Sequence, residues 1–214
     1  MKNFFITLKS IFFKIIKKKN TCIGIYGPPN AGKTTLANKM LSDCYNEDIN
    51  DNKYGSVSKI AHETRHVNHH HQLTIKTSDN KKIMLDIVDT PGLATKIDYH
   101  DFMKEGLSEI ESKKRSKEAT EGVIEAVKWI EELDGVILVM DATKSPYTQV
   151  NVTIVGNMEA RKLPLLIVAN KIDLPKADAE SIKNAFPQHP CVFISALKGK
   201  NIDKLYNEIA KRFG

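Results

Sequence analysis

Cysteine is scarce in this chain. The three present in 214 residues, Cys22, Cys44 and Cys191, lie far apart and in no metal-type spacing. That excludes a disulfide scaffold and a cysteine-ligated metal fold, and it marks them as reduced thiols of a cytoplasmic protein. No apolar run approaches the roughly 20 residues that span a bilayer. Acidic residues are missing from the first 19 positions, which hold Lys2, Lys9, Lys14, Lys17, Lys18 and Lys19. Removing those six from the 32 basic side chains leaves 26, against 26 acidic ones, so residues 20–214 are formally neutral and the net charge of +6 belongs to the tail. The body therefore lacks the net-charge signature of a nucleic-acid binder. The single tryptophan, Trp129, sits with Ile124, Val127, Ile130 and Leu133 at helical spacing, which reads as core rather than as a ligand stack.

With 41% hydrophobic residues the chain has enough apolar material for one globular domain, residues 20–214, behind the tail of residues 1–19. Apolar runs alternate with helical patterns. Strands are expected at 21–26, 67–77, 83–88, 135–140, 164–169 and 191–194, and helices at 33–42, 102–132, 148–161, 179–186 and 201–212. The later strands are continuous apolar runs, as in a mainly parallel sheet covered by helices on both faces. The runs 67–77 and 83–88, joined by Ser78-Asp79-Asn80-Lys81-Lys82, read as a hairpin that adds one antiparallel edge strand. The expected architecture is a six-stranded α/β sheet.

The strand at 21–26 breaks into Gly27-Pro28-Pro29-Asn30-Ala31-Gly32-Lys33-Thr34-Thr35 and then into helix formers. Gly27, four residues, then Gly32-Lys33-Thr34 is the spacing of a phosphate loop, with backbone amides and a helix N-terminus aimed at negative charge. Lys33 is placed to reach the terminal phosphates and the Thr34 hydroxyl to bind magnesium. Further motifs end later strands, where open α/β sheets bind their ligands. Strand 83–88 runs into Asp89-Thr90-Pro91-Gly92, strand 164–169 into Asn170-Lys171-Ile172-Asp173, and strand 191–194 into Ser195-Ala196-Leu197. Asp89 suits the magnesium and the Gly92 amide a γ-phosphate. Asp173 offers two acceptor oxygens to the N1–H and exocyclic amine of guanine, a donor pair that adenine lacks. Lys171 can lay its stem over the base, Asn170 can tie its loop to the phosphate loop, and the Ala196 amide can meet O6. The ligand read from these residues is GTP or GDP with Mg2+.

These motifs, together with "ETRH" at 63–66 and "DTPGL" at 89–93, resemble the translation-factor-related GTPases and within them the Era-like group, over about residues 20–214. The resemblance implies a P-loop NTPase G domain acting as a molecular switch. Thr64 is then the switch threonine that joins Thr34 and Asp89 around magnesium, and GTP orders residues about 53–66 and 89–101. It also implies slow GTP hydrolysis, with Lys33, Thr64, Gly92 and Asn30 as the catalytic set. Two departures stand out. Bacterial Era carries a C-terminal KH domain that grips RNA, whereas this sequence reaches Gly214 at the end of the expected last helix, so a ribosome-assembly role does not carry over by analogy and a ribosome or RNA partner stays an alternative without that support. The N-terminal tail is the second departure, and the set resembles the small single-domain Era-like GTP-binding proteins of archaea. Where Ras-type switches have a water-orienting glutamine, this chain has Leu93. In the GTPases it resembles, an asparagine at the place of Asn30 helps hold a potassium ion beside the phosphates; the alternative is an asparagine that stabilises the turn. Leu93 also leaves open a nucleotide-loaded scaffold with negligible turnover.

Five of the seven histidines fall within 62–71: His62, His66, His69, His70 and His71. Strand alternation sends His69 and His71 to one face and His70 to the other, so the three cannot converge on a metal, and a solvated edge strand is expected. On a helical projection of the tail, Phe4, Phe5, Leu8, Ile11, Phe12, Ile15 and Ile16 share one arc, with Lys14, Lys17 and Lys18 opposite. The expectation is a peripheral anchor on an anionic membrane surface, at the inner face of the cell membrane. The alternatives are packing against the G domain and an acidic or RNA partner. An effector protein is implied by the switch and left unnamed by the sequence.

Overall fold

The computed structural model describes residues 20–45, 67–93, 98–104 and 106–214. The tail of residues 1–19, expected to be helical, the 63–66 motif with Thr64, and His62 and His66 lie outside the described residues.

Six strands form one sheet: β1 (Thr21–Tyr26), β2 (Asn68–Lys76), β3 (Lys82–Asp89), β4 (Gly135–Asp141), β5 (Leu165–Asn170) and β6 (Cys191–Phe193). Their spatial order is β2-β3-β1-β4-β5-β6. Every neighbour pair is parallel except β2 with β3, which makes β2 the antiparallel edge. The helices are α1 (Lys33–Tyr45), α2 (Tyr99–Lys104), α3 (Glu109–Trp129), α4 (Gln149–Arg161), α5 (Ala179–Ala185) and α6 (Ile202–Phe213), with a short 3-10 turn at Ile130–Glu132.

The apolar runs of the central strands divide between two cores. Ile23, Ile25, Ile137, Val139, Leu166 and Val168 pack with Leu36 and Met40 of α1 and Leu205 and Ile209 of α6. Cys22, Tyr26, Leu138, Met140, Ile167 and Ala169 face the opposite side, against Ala126 of α3, Ile154 and Met158 of α4, and Ile182 of α5. Burial on both faces is why these strands lack polar alternation. Tyr26 is fully buried and its hydroxyl donates to the Ala126 carbonyl (2.6 Å). Loss of water pushes its phenol above the ordinary tyrosine range.

Three expectations are corrected. The helix expected at 102–132 is broken into α2 and α3, because Ser108 and Glu111 form a reciprocal capping box that starts α3 afresh. The inward face of α3 carries Ser112, Arg115, Ala119, Gly122 and Ala126 rather than the large apolar residues. Ile130 and Leu133 are buried and Trp129 is half-buried, but Ile124 (51%) and Val127 (48%) are exposed.

The third correction concerns β2. Strict alternation along 67–77 would place His69, His71, Leu73 and Ile75 on one face. The register instead shifts between His70 and Leu73, and Gln72 takes a left-handed backbone (φ 57°). This bulge reverses the parity. His70 opposes Ile87 and Leu73 opposes Leu85, so these share the face that packs on α1, with Leu73 and Ile75 in its core. His69 and His71 stay on the α3 face, where the His69 ring meets Trp129 edge-on at 5.0 Å between centroids.

Candidate functional site

The loops that follow β1, β3, β5 and β6 meet at the carboxyl ends of the strands. After Tyr26 the chain runs through Gly27-Pro28-Pro29-Asn30-Ala31-Gly32 and enters α1 at Lys33, with Thr34 and Thr35 in its first turn. Asn30 adopts a left-handed backbone (φ 60°) and its side chain is exposed. Gly32 also takes a positive φ (96°), and a Cβ there would lie 2.2 Å from the Asn170 side-chain nitrogen. Glycine is therefore required at this position by both conformation and space.

The second loop lies against the first. The Thr90 hydroxyl donates to the Ile25 carbonyl (2.7 Å) and the Leu93 amide to the Gly27 carbonyl (3.1 Å). A Cβ on Gly92 would meet the Pro29 backbone at 2.7 Å, so the glycine is what lets the two loops touch. Leu93 is half-buried and packs on the core beside α3. Its amide is thereby used within the protein, and its side chain supplies no polar group.

Lys33 and Asp89 are the charged pair of the site and both are buried. The Lys33 ammonium donates to the Pro28 carbonyl at 2.9 Å, folded back over its own loop. Burial draws its pKa down to about 8, opposed by the Asp89 charge. Burial pushes Asp89 up to about 6, against the pull of Lys33. The Thr34 hydroxyl stands beside the carboxylate and also pulls it down, although neither Asp89 oxygen meets hydrogen-bond geometry. A buried carboxylate with unpaired oxygens next to a threonine hydroxyl fits a hard divalent cation such as Mg2+.

Asn170 joins the first loop to the third and fourth. Its side-chain nitrogen donates to the Ala31 carbonyl (2.9 Å), and its side-chain oxygen accepts the Ala196 amide (2.9 Å). The Ala196 amide, expected to meet O6 of a base, here donates to Asn170 and orders the loop. Ser195 is fully buried and accepts the Lys198 amide (3.1 Å), while Leu197 is 74% exposed at the rim. Asp173 is exposed, and among the described residues no hydrogen bond holds its carboxylate.

Lys171 takes a left-handed backbone (φ 70°), and its ammonium donates to Asp141 at 2.6 Å. Asp141 ends β4 and also accepts the amide (2.9 Å) and hydroxyl (2.7 Å) of Thr143. Against the upward push of burial, the Lys171 and Thr143 bonds hold its carboxyl below the usual range. Sequence reading missed Asp141. The available signal was a carboxylate closing an otherwise apolar strand, the same placement as Asp89.

Comparison with known proteins agrees with this geometry. Residues 22–171 match the family described as 50S ribosome-binding GTPase. GTPase Era of Ectopseudomonas mendocina is 28% identical over 196 residues, covering 89% of this chain and 54% of its own. GTPase Der of Myxococcus xanthus is 31% identical over 204 residues, covering 89% of this chain and 38% of its own. The chain thus spans about half or less of the length of these curated relatives. Among solved structures, Aquifex aeolicus Era bound to GDP and aluminium fluoride superposes with a TM-score of 0.65 at 24% identity, over 90% of this chain and 56% of that one. A GTP-binding protein from the archaeon Sulfolobus solfataricus in complex with GDP gives 0.52 at 22% identity over 98% of this chain. The six-stranded sheet with its antiparallel edge is the fold those structures share, and the family match spans the first two of the four loops described above and the first two residues of the third: the chain belongs to the 50S ribosome-binding GTPase family.

Proposed function

We propose that this chain binds GTP and GDP with Mg2+ and hydrolyses GTP slowly, as a molecular switch. The observation that carries the reading is Asn170, which ties the phosphate loop through Ala31 to the loop of Ala196 while Asp173 stays exposed alongside. This arrangement supports a reading in which the Asp173 carboxylate accepts the guanine donor pair while the loop of residues 27–35 holds the phosphates. Gly27, Asn30, Ala31, Gly32, Lys33, Thr34 and Thr35 surround the phosphates, and Lys171, Asp173, Ser195 and Leu197 surround the base. Asp89, Thr34 and Thr64 would hold Mg2+, which supplies charge neutralisation at the β- and γ-phosphates. In the nucleotide-bound protein the Lys33 ammonium leaves the Pro28 carbonyl for phosphate oxygens, and the Gly92 amide faces the γ-phosphate.

Leu93 cannot orient an attacking water. We assign the missing charge to a potassium ion held by the side-chain oxygen of Asn30; by analogy with unassisted GTPases, intrinsic turnover is on the order of 10⁻⁴ to 10⁻² per second. The tail of residues 1–19 is proposed to bring the domain to an anionic membrane, since six lysines with no acid suit such a surface. Among the described residues no helix is long and apolar enough to cross a membrane. One related Era structure is a complex with 16S ribosomal RNA; for this chain, whose residues 20–214 are charge-neutral, RNA is the lesser alternative.

Calorimetric titration tests the base assignment. GTP and GDP should bind far more tightly than ATP, and Asp173→Asn should move preference toward xanthine nucleotides, whose carbonyl matches the amide. Equal ATP and GTP affinity in the native protein would refute the guanine reading.

A further inference from the structure

The α3 face of β2 carries a group of side chains unconnected with the nucleotide loops. His69 and His71 project from one side of the strand with ring centroids 3.8 Å apart. Across the sheet, Asp86 of β3 aims one carboxylate oxygen, Oδ2, at both: 3.1 Å from His71 Nδ1 and 3.8 Å from His69 Nε2. One ligand-type atom from each of the three lies within 4.8 Å of the others. Sequence alternation rightly separated His70 from this pair, but it could not supply the carboxylate, which lies on another strand.

Two further features make the group a built one. The second oxygen of Asp86, Oδ1, accepts the Gln72 amide (2.8 Å) and the Asn20 side-chain nitrogen (3.2 Å). These bonds orient the carboxylate from behind, as partners of metal-bound carboxylates do, and leave Oδ2 turned toward the two histidines, within hydrogen-bond distance of His71 Nδ1. The bulge supplies the Gln72 amide and holds His71 level with Asp86, a placement that an unbroken register would give at the cost of turning Leu73 out of the core. His69 Nε2 is in addition buried and without a hydrogen-bond partner, a condition that His70 Nε2 shares on the opposite face.

We propose that His69, His71 and Asp86 form a binding site for a divalent transition metal of the zinc type, with two imidazole nitrogens, one carboxylate oxygen and an outward position open to water or a further ligand. Imidazole and carboxylate donors at about 2.0–2.2 Å from a tetrahedral ion sit roughly 3.2–3.6 Å apart, so the present separations close onto a metal with small side-chain rotations. Magnesium is disfavoured, since it prefers oxygen ligands and keeps its waters. A metal here would clasp edge strand β2 to β3, the strand that ends at Asp89.

The test is titration of the full chain, free of any affinity tag and saturated with GDP and excess Mg2+, with Co2+ and Zn2+ as the probes. Excess Mg2+ keeps both probes out of the phosphate site. One equivalent of Co2+ should bind with visible absorption of a low-coordinate nitrogen–oxygen site, and Zn2+ should displace it. His71→Ala removes an exposed ligand without touching the core and should weaken binding roughly tenfold or more, the scale set by losing even an outer partner of a metal site. Asp86→Asn keeps the acceptor for the Gln72 amide, removes the charge, and should weaken binding similarly. His70→Ala should leave it unchanged. Retained GDP in each variant reports that the fold survives. Absence of saturable binding in the native chain, or binding that His71→Ala and Asp86→Asn leave intact, would overturn the proposal.

Discussion

Asn170→Ala removes two hydrogen bonds at once and tests whether one buried amide holds the site together. The Ala31 carbonyl and the Ala196 amide, both in buried residues, would be left facing a small cavity. A buried polar group stripped of its partner costs about 1–3 kcal/mol, so the pair amounts to roughly 2–6 kcal/mol. In a domain of this size each kcal/mol moves the melting midpoint by about 2–4 °C, which gives a drop on the order of 4–24 °C. Differential scanning calorimetry of the nucleotide-free protein reads this directly. Adding saturating GDP should restore less stability than it adds to the native chain, because the phosphate loop has lost its tie to the base loop. Asn170→Asp separates the two halves of the interaction. It keeps an acceptor for Ala196 but turns a carboxylate oxygen toward the Ala31 carbonyl, and it should be at least as unstable as alanine. A midpoint within about 2 °C of native for Asn170→Ala, with unchanged GDP affinity, would show that the loops are positioned without this residue.

Gly32→Ala would place a Cβ 2.2 Å from the same Asn170 nitrogen at a backbone φ of 96°; it should abolish GDP binding by equilibrium dialysis, and a native affinity would mean the loop can rearrange freely. Multiple-turnover phosphate release should be faster in potassium than in sodium, and Asn30→Ala should erase the difference; equal native rates in the two salts would assign the missing charge to another group. The native chain should float with anionic vesicles while a chain beginning at Asn20 stays behind yet binds GTP; if neither floats, the tail docks on protein instead.

Much of the architecture was legible because it is written locally. Strand-loop-helix order follows from apolar runs that stop at glycine, proline or a carboxylate, and each of those signals acts within a few residues of itself. The phosphate loop is legible for the same reason: Gly27, Gly32 and Lys33 work through the backbone they sit on and the helix they begin. Chemical complementarity, too, belongs to a single side chain, which is why a guanine-reading role can be proposed for Asp173 from the sequence alone. What tertiary structure decided were the pairings of residues far apart in the chain, because no local pattern records which strand lies beside which or in what register. It set the Ala196 amide on the Asn170 side chain, 26 residues away, and Asp141 under Lys171, 30 residues away. It turned the small, polar face of α3 inward and left Ile124 outside. Above all, one left-handed residue, Gln72, reversed the faces of an edge strand. Leu73 and Ile75 could then enter the core while His69 and His71 stayed together beside Asp86. Side chains alternate with a period of two, so a single inserted residue changes every partner beyond it, and only the register of the assembled sheet shows where that happens.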